Sequence, residues 1–82
     1  MDEDDLRQIE ARVDAATPGP WTSWIEGRDH TAGSSFIETR GDDIELVGCS
    51  AADQDFIAAA RSDIPALIAE IRRLRKLMGA AS

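Results

Sequence analysis

Apolar residues near the amino terminus recur at the spacing of an amphipathic helix. They follow one another at intervals of three and four residues, which places them on one helical face. Acidic residues stand at the start of this segment, where they favour the positive end of the helix dipole. Because Thr17 precedes a proline and such residues avoid the helical region, the pattern predicts a helix over residues 3–16. The apolar stripe consists of Leu6, Ile9, Val13 and Ala16.

The middle of the chain alternates between apolar and polar residues, which is typical of strands. Residues 21–26 alternate weakly and predict a first strand. The segments SFIETR and DIELVG flank Gly41 and Asp42, which suits a hairpin with a two-residue turn. In that register Ile37 faces Leu46. Because a two-stranded hairpin is marginal by itself, we expect the first strand to join it.

The last third of the chain returns to a helical pattern with one interruption. Residues 53–61 predict a short helix with Asp53 as its cap. Pro65 then breaks the pattern, because proline lacks an amide hydrogen and clashes with the preceding turn. A second helix is predicted over residues 64–78, and Gly79 would end it.

Together these elements predict an α+β fold in the order α-β-β-β-α. It has an N-terminal helix, a small antiparallel sheet of two or three strands and a broken C-terminal helix. The 82 residues, 1–82, are expected to form a single domain. Chains of this size are near the lower limit at which a hydrophobic core is stable without disulfides or structural metal ions, so oligomerisation would add stability.

The predicted last helix carries an apolar seam with heptad spacing, which Ile68 and Leu77 widen. The seam has two interpretations: it covers the sheet of its own chain, or it pairs with the same helix of a second copy. We expect it to pack on its own domain and also to contribute to the interface of a homodimer or higher homo-oligomer. The predicted interface residues are Ile64, Leu67, Ile71, Leu74 and Met78.

Charge is unevenly distributed along this acidic chain. The formal net charge is −7, the acids of residues 2–5 begin the chain, and a basic cluster over residues 72–76 nearly ends it. The two ends are expected to attract each other, within one chain or between two chains. Alternatively, the basic cluster is solvated or binds phosphate. Because nonspecific duplex binding needs a basic face, direct DNA binding is disfavoured.

The composition favours a cytoplasmic protein that does not enter a membrane. No apolar stretch approaches the roughly 20 residues of a membrane span. The acidic start MDEDD does not resemble a signal peptide. The single Cys49 excludes an intrachain disulfide and suits a reduced compartment.

No catalytic or metal-binding motif is present in the sequence. We therefore expect a protein that is not an enzyme and that uses no cofactor and no metal. His30 is the only histidine, and it is either a surface residue or a ligand contact within the polar 27–35 loop. Glu38 and Glu45, if they stand side by side, are either solvated beside an arginine or form a cation site or an acidic patch that faces a partner.

Tryptophans and arginines supply the candidate ligand-binding residues. Trp21 follows Pro20 and is expected to plug the core beneath the ATPGPW corner, while Trp24 faces the opposite side. Aromatic side chains beside arginines hold nucleobases by stacking and charge pairing. The predicted ligand-binding set is Trp21, Trp24, Arg28, His30, Arg40 and Arg61.

Two segments resemble a family of small phage and prophage proteins, chiefly from actinobacterial hosts. ATPGPW at 16–21 is similar to the family's corner, and DQDFIAAARSDIPALIAEIRRLR at 53–75 is similar to its D-x-x-F-I-A-x-A-R-x-D-h-P-x-L-L helix pair, where h is aliphatic. Together they cover about half the chain. The resemblance implies a phage accessory protein that acts in the host cytoplasm and counters host defence. Such a protein would sequester a small nucleotide-like ligand at a subunit interface without catalysis. Alternatively, it would use an acidic surface to block a basic surface of a host protein.

Overall fold

Two helices and a small antiparallel sheet make up the described part of the chain. The computed structural model describes residues 1–31 and 33–80, without the side chain of Ala80. The elements are α1 (Glu3–Ala15), β1 (Thr22–Trp24), β2 (Phe36–Glu38) and α2 (Ala51–Ala80). The predicted α+β class is therefore confirmed.

Helix α1 begins at Glu3, as the sequence predicts, and ends at Ala15, one residue before the predicted end. Asp2 is its cap, and its side chain accepts a 2.8 Å hydrogen bond from the Asp5 amide, while the Asp5 side chain accepts a 3.0 Å bond from the Asp2 amide. This reciprocal capping box satisfies amides that the first helical turn leaves without partners. Ala16 is already extended, with ψ of 158°, because the Thr-Pro step cannot continue the helix.

The sheet joins the tryptophan segment to the second strand. β1 and β2 are antiparallel, with Ser23 opposite Ile37 and Trp24 opposite Phe36. Ile37 also exchanges two backbone hydrogen bonds with Ile44, of 2.8 and 2.9 Å, so a third segment touches the sheet at one residue. The strand predicted over residues 21–26 is thus confirmed as the partner of the second strand.

The predicted two-residue hairpin turn is wrong. Ile37 faces Ile44 rather than Leu46, and residues 38–43 form a wider turn between them. The Thr39 hydroxyl explains this turn, because it donates to the Asp42 carbonyl at 2.9 Å and accepts from the Gly41 amide at 2.9 Å. These side-chain bonds replace the backbone pairs that a tighter turn would form.

The change of register also separates two acids that were predicted to be neighbours. Glu38 accepts a 3.3 Å hydrogen bond from the Trp24 indole. Glu45 instead accepts a 3.3 Å bond from the Ser34 hydroxyl. The two carboxylates therefore have different partners and do not form the predicted cross-strand pair.

The C-terminal helix is continuous, so the predicted break at Pro65 is wrong. α2 begins with a second capping box, in which Ser50 and Asp53 exchange hydrogen bonds of 3.0 and 3.1 Å. It then runs through Pro65, which lies inside the helix, and through Gly79 to Ala80. A proline at such a position costs about 3 kcal/mol, so packing must compensate.

Helix α1 supplies that packing because it spans the proline. Before Pro65, Nε of Arg61 donates a 2.9 Å hydrogen bond to the Thr17 carbonyl, just after the end of α1. After it, Arg72 forms ion pairs with Glu10 at 2.6 Å and Glu3 at 3.1 Å. Contacts on both sides of the proline hold α2 in one piece. They also confirm, within one chain, the predicted attraction between the acidic start and the basic cluster.

The buried core is small, and one of its members is polar. The apolar residues that are buried are Leu6, Ile37, Ala58 and Ile68. Gln54 is only 3% exposed. Its side-chain amide donates to the Ser23 hydroxyl at 3.0 Å, the Phe36 carbonyl at 3.0 Å and the Trp24 carbonyl at 3.3 Å. One buried amide thus fastens α2 to both strands.

Replacing this amide should weaken the whole fold. We expect Gln54→Leu to lower the free energy of unfolding by roughly 2 kcal/mol, because it removes the three hydrogen bonds by which one buried amide joins α2 to both strands. Urea denaturation at a fixed protein concentration measures this change. Gln8→Leu, on the exposed part of α1, is the matched control and should change little. Equal stability of the Gln54→Leu protein and the control would contradict the role given to Gln54.

Candidate functional site

A mostly apolar cavity of about 220 Å³ lies where the ATPGPW corner meets the two helices. We call it the Trp21 pocket. Among the described residues, none that line it carries a carboxylate. Its lining residues are Ile9, Arg12, Val13, Ala16, Trp21, Ile57, Ala60, Arg61 and Ile64.

The corner fixes Trp21 and Arg61 through one shared acceptor. The Thr17 carbonyl accepts a 3.0 Å hydrogen bond from the Trp21 indole and a 2.9 Å bond from Nε of Arg61. Gly19 allows this close approach, because an added Cβ would lie 3.2 Å from Cγ of Arg61. The half-buried Trp21 is therefore held beside the arginine, and the corner acts as a structural joint.

Two arginine charges at this pocket have no counter-ion in the described part of the chain. Arg12 makes no side-chain hydrogen bond or ion pair there, and Arg61 makes only the bond to Thr17. Both terminal nitrogens of Arg61 therefore keep their donors available. Of the other six arginines, Arg7, Arg28, Arg72, Arg73 and Arg75 are paired with carboxylates, whereas Arg40 has no such partner among the described residues.

This arrangement can hold a small molecule that is apolar at one end and anionic at the other. The indole and the aliphatic walls offer contact area to a ring. The guanidinium groups offer planar, fork-like donors that match phosphate or carboxylate oxygens. Apolar surroundings reduce dielectric screening and so strengthen such a charge pair.

Arg28, a predicted ligand-binding residue, is committed to an ion-pair cluster away from this pocket. Its guanidinium contacts Asp55 at 2.7 Å and Asp29 at 2.8 Å. Hydrogen bonds from Arg28 and then from Ser23 lower the pKa of Asp55 from 3.8 to about 2. The same arginine, followed by the Ile25 amide, lowers the pKa of Asp29. Two carboxylates already satisfy this guanidinium.

The remaining predicted ligand residues are also outside the Trp21 pocket. Trp24 bonds to Glu38 on the sheet, and the ring of His30 lies 5.6 Å from that of Phe36. Nε2 of His30 is buried and makes no hydrogen bond with the described residues. Arg40 is exposed in the wide turn. Of the predicted set, the structure brings only Trp21 and Arg61 together in this cavity.

Sequence reasoning missed Arg12 and Gln54. Arg12 looked like an ordinary polar residue of α1, and only the packing of α1 on α2 places it on the wall of the same cavity as Arg61. A usable signal existed, because Arg12 is next to Val13 of the apolar stripe and so borders the buried face. Gln54 gave no comparable signal, since a glutamine at the start of a helix is usually exposed.

Comparison with known proteins adds no relative to this description. No protein-family model matches the chain, and no curated protein or solved structure matches it significantly. Within residues 1–31 and 33–80, histidine, cysteine and carboxylate side chains nowhere gather into a group of three that could hold a metal ion. Neither helix, over the residues described, has the length and hydropathy needed to cross a membrane.

The ion-pair cluster predicts a pH dependence. Because the pKa of Asp55 is about 2 in the fold and 3.8 is its ordinary value, its ionised form stabilises the fold above about pH 4. That contribution is lost as the pH falls from 3.8 through about 2.

We expect Arg28→Gln to raise the pKa of Asp55 toward 3.8, measured by NMR of the carboxyl carbon. Arg40→Gln is the control and should leave it unchanged. An unchanged pKa in Arg28→Gln would refute the assignment.

Proposed function

We propose that this chain is a non-catalytic binding protein that captures a small nucleotide-like anion in the Trp21 pocket. The observation that carries the proposal is the pair of arginines, Arg12 and Arg61, without carboxylate partners beside an immobilised tryptophan. A ring would occupy the apolar part of the pocket, and a phosphate would meet the guanidinium groups.

In a chain of this charge, most arginines find a carboxylate. The net charge is −7, and five of the eight arginines pair with acids. Among the described residues the exceptions are Arg40, exposed in the wide turn, and the two arginines that line the same cavity, Arg12 and Arg61. A bound anion would supply the missing counter-ion. The apolar walls would exclude part of the water that competes with the anion for the guanidinium groups.

The size of the pocket supports a site that is shared between subunits. Its volume of about 220 Å³ is below the roughly 300 Å³ at which small-molecule sites usually begin. A neighbouring cavity of about 370 Å³ shares Ile9, Arg12 and Ile64 with it, so a groove continues along α2. We therefore propose that the ligand is held at the interface of a homo-oligomer.

The biological setting that we propose follows from the resemblance to phage accessory proteins. In that setting, capture without chemistry would remove a nucleotide signal of host defence. The second hypothesis, an acidic module that blocks a basic host surface, draws support from the exposed Asp42 and Asp43, which form no ion pair within the described residues. It requires no pocket, so the ligand experiment separates the two hypotheses.

Trp21 fluorescence provides a direct test. In a Trp24→Phe background, Trp21 is the only tryptophan, and a bound base should quench its emission. We expect saturable quenching by at least one member of a panel of AMP, GMP, cyclic AMP and ADP-ribose. Arg12→Gln should weaken that binding about tenfold by removing a charged hydrogen bond.

The control for this experiment is Arg40→Gln, which removes an exposed arginine outside the pocket and should leave the affinity unchanged. Circular dichroism checks that each variant keeps its helices. Absence of quenching across the whole panel, with the helices intact, would refute the nucleotide proposal. Equal loss of affinity in Arg12→Gln and Arg40→Gln would refute the choice of pocket.

A further inference from the structure

A second cavity adjoins the Trp21 pocket between the same two helices. Its volume is about 370 Å³, and it shares Ile9, Arg12 and Ile64 with the pocket. We call this second cavity the Leu67 groove. Its other lining residues are Met1, Leu6, Leu67, Ile68 and Ile71.

Most of the predicted interface residues of α2 line this groove. Ile64, Leu67 and Ile71 form its wall on α2, together with Leu6 and Ile9 of α1. The predicted interface residues that line neither cavity are Leu74 and Met78. The seam therefore takes part, over most of its length, in the helix pair of its own chain.

The groove has a buried floor and an exposed lip. Leu6 and Ile68 form the floor, since they are 0% and 6% exposed. Ile64 and Leu67 form the lip, since they remain 39% and 59% exposed. An apolar group that covers such a lip removes apolar surface from water, which is favourable. The groove therefore suits an apolar occupant.

Arg12 places a positive charge where the groove meets the Trp21 pocket. It is the one charged side chain among the described residues that line the groove, and it also lines the pocket. Within the described part of the chain, no carboxylate lines either cavity. Because the guanidinium of Arg12 forms no ion pair there, it can bind an anionic group at this junction.

A third cavity between the helices has the opposite chemistry. Its volume is about 300 Å³, and Glu10, Asp14 and Arg72 are among its lining residues. Arg72 is already bonded to Glu10 at 2.6 Å and to Glu3 at 3.1 Å. An anion would meet carboxylates and a neutralised arginine in this cavity. The two cavities that share Arg12 therefore suit an anion better.

The length of the groove indicates the size of its occupant. Ile64 and Ile71 are seven residues apart on α2, which corresponds to about 10 Å along the helix. With carbon–carbon bonds of about 1.5 Å, an extended chain of about eight carbons has a similar length. The groove and the pocket together exceed the roughly 300 Å³ at which small-molecule sites begin.

We propose that the ligand of the Trp21 pocket is an anion with an unbranched apolar chain, and that this chain lies in the Leu67 groove. Its anionic group lies at Arg12, between the pocket on one side and the groove on the other. The chemical class is an alkyl ester of a phosphate, or the corresponding carboxylate. The proposal rests on the proposed function, because it takes the anion to bind at the arginines of the Trp21 pocket.

The chain should add affinity in proportion to its length. Each methylene that enters the groove should strengthen binding roughly threefold, since the open lip leaves part of the chain in water. The probes are butyl, hexyl and octyl phosphate, with inorganic phosphate as the baseline, and calorimetry measures their affinities. We expect about a tenfold gain with each added pair of methylenes. An affinity that is the same for all three esters would overturn the proposal.

Octanoate tests the choice between the two anionic groups. Binding of octyl phosphate and octanoate with the same dependence on chain length would support a site for either anion. Binding of neither probe would overturn the proposal.

Two leucines of nearly equal exposure provide a matched pair of variants. Leu67 lines the groove and is 59% exposed, whereas Leu77 is 58% exposed and lines neither cavity. Leu67→Gln should weaken the binding of octyl phosphate about fivefold and leave that of butyl phosphate nearly unchanged. Leu77→Gln should change neither affinity. Circular dichroism checks the helices, and an equal loss in both variants would overturn the position of the chain.

Arg12→Gln separates the contribution of the charge from that of the chain. It should weaken binding of all three esters about tenfold and leave the gain per methylene unchanged. A loss that grows with chain length would contradict the position of the anionic group at Arg12.

AMP and its octyl ester distinguish a failure of this proposal from a failure of the proposed function. Binding of AMP with no gain from the octyl chain would overturn the role of the groove and leave the nucleotide proposal standing. Binding of octyl phosphate that depends on Leu67, without binding of AMP, would support the chain and refute the nucleotide.

Light scattering on the same samples tests whether a second copy occupies the groove instead. We expect Leu67→Gln and Leu77→Gln to have the same mass as the unmodified chain. A mass that falls only in Leu67→Gln, with the dependence on chain length unchanged, would assign the groove to a second copy and overturn the proposal.

Discussion

The packing of α1 across Pro65 is the interaction on which the rest of the structure depends. A proline within a helix removes one hydrogen bond and crowds the preceding turn, so an unsupported helix would bend or end there. Here the segment that ends α1 contacts α2 before the proline, where Arg61 donates to the Thr17 carbonyl, and α1 contacts it after the proline through the ion pairs of Arg72. Because α2 stays in one piece, its first turns hold the sheet, its middle forms one wall of the Trp21 pocket, and the residues that follow line the next cavity.

The parts of the fold that follow from local rules were predictable from the sequence, and the parts that depend on distant contacts were not. α1 was predicted well because its apolar spacing, its acidic start and its Thr-Pro stop all lie within the segment itself. The break at Pro65 was wrong because proline chemistry is local, whereas the compensating contacts come from the other end of the chain. The hairpin register failed because the Thr39 hydroxyl stabilises a wider turn than the glycine pattern indicates.

The candidate site follows the same division. The place of Trp21 after Pro20 predicts a core residue beneath the corner, whereas the structure leaves Trp21 half-buried and bonded to the same Thr17 carbonyl as Arg61. An arginine such as Arg28 suits the binding of a phosphate, but Asp55 of α2 already pairs with its guanidinium. No pattern in the sequence indicates this contact. Arg12 is the converse case, since packing gives a plain helical arginine a place in the pocket. Residue type alone therefore identifies which side chains have the right chemistry, and packing decides which of them remain available.

Gly19 links the backbone corner to the chemistry of the pocket. Its hydrogen atom occupies the space where a side chain would meet the stem of Arg61 at 3.2 Å. A larger residue would displace that stem, and with it the bond to Thr17 that also positions Trp21. The consequence is a coupling between two positions far apart in the sequence: a side chain at position 19 would require the stem of Arg61 to shift by a few tenths of an ångström, so positions 19 and 61 are expected to change together. The geometry of the Trp21 pocket thus depends on a residue that does not line it.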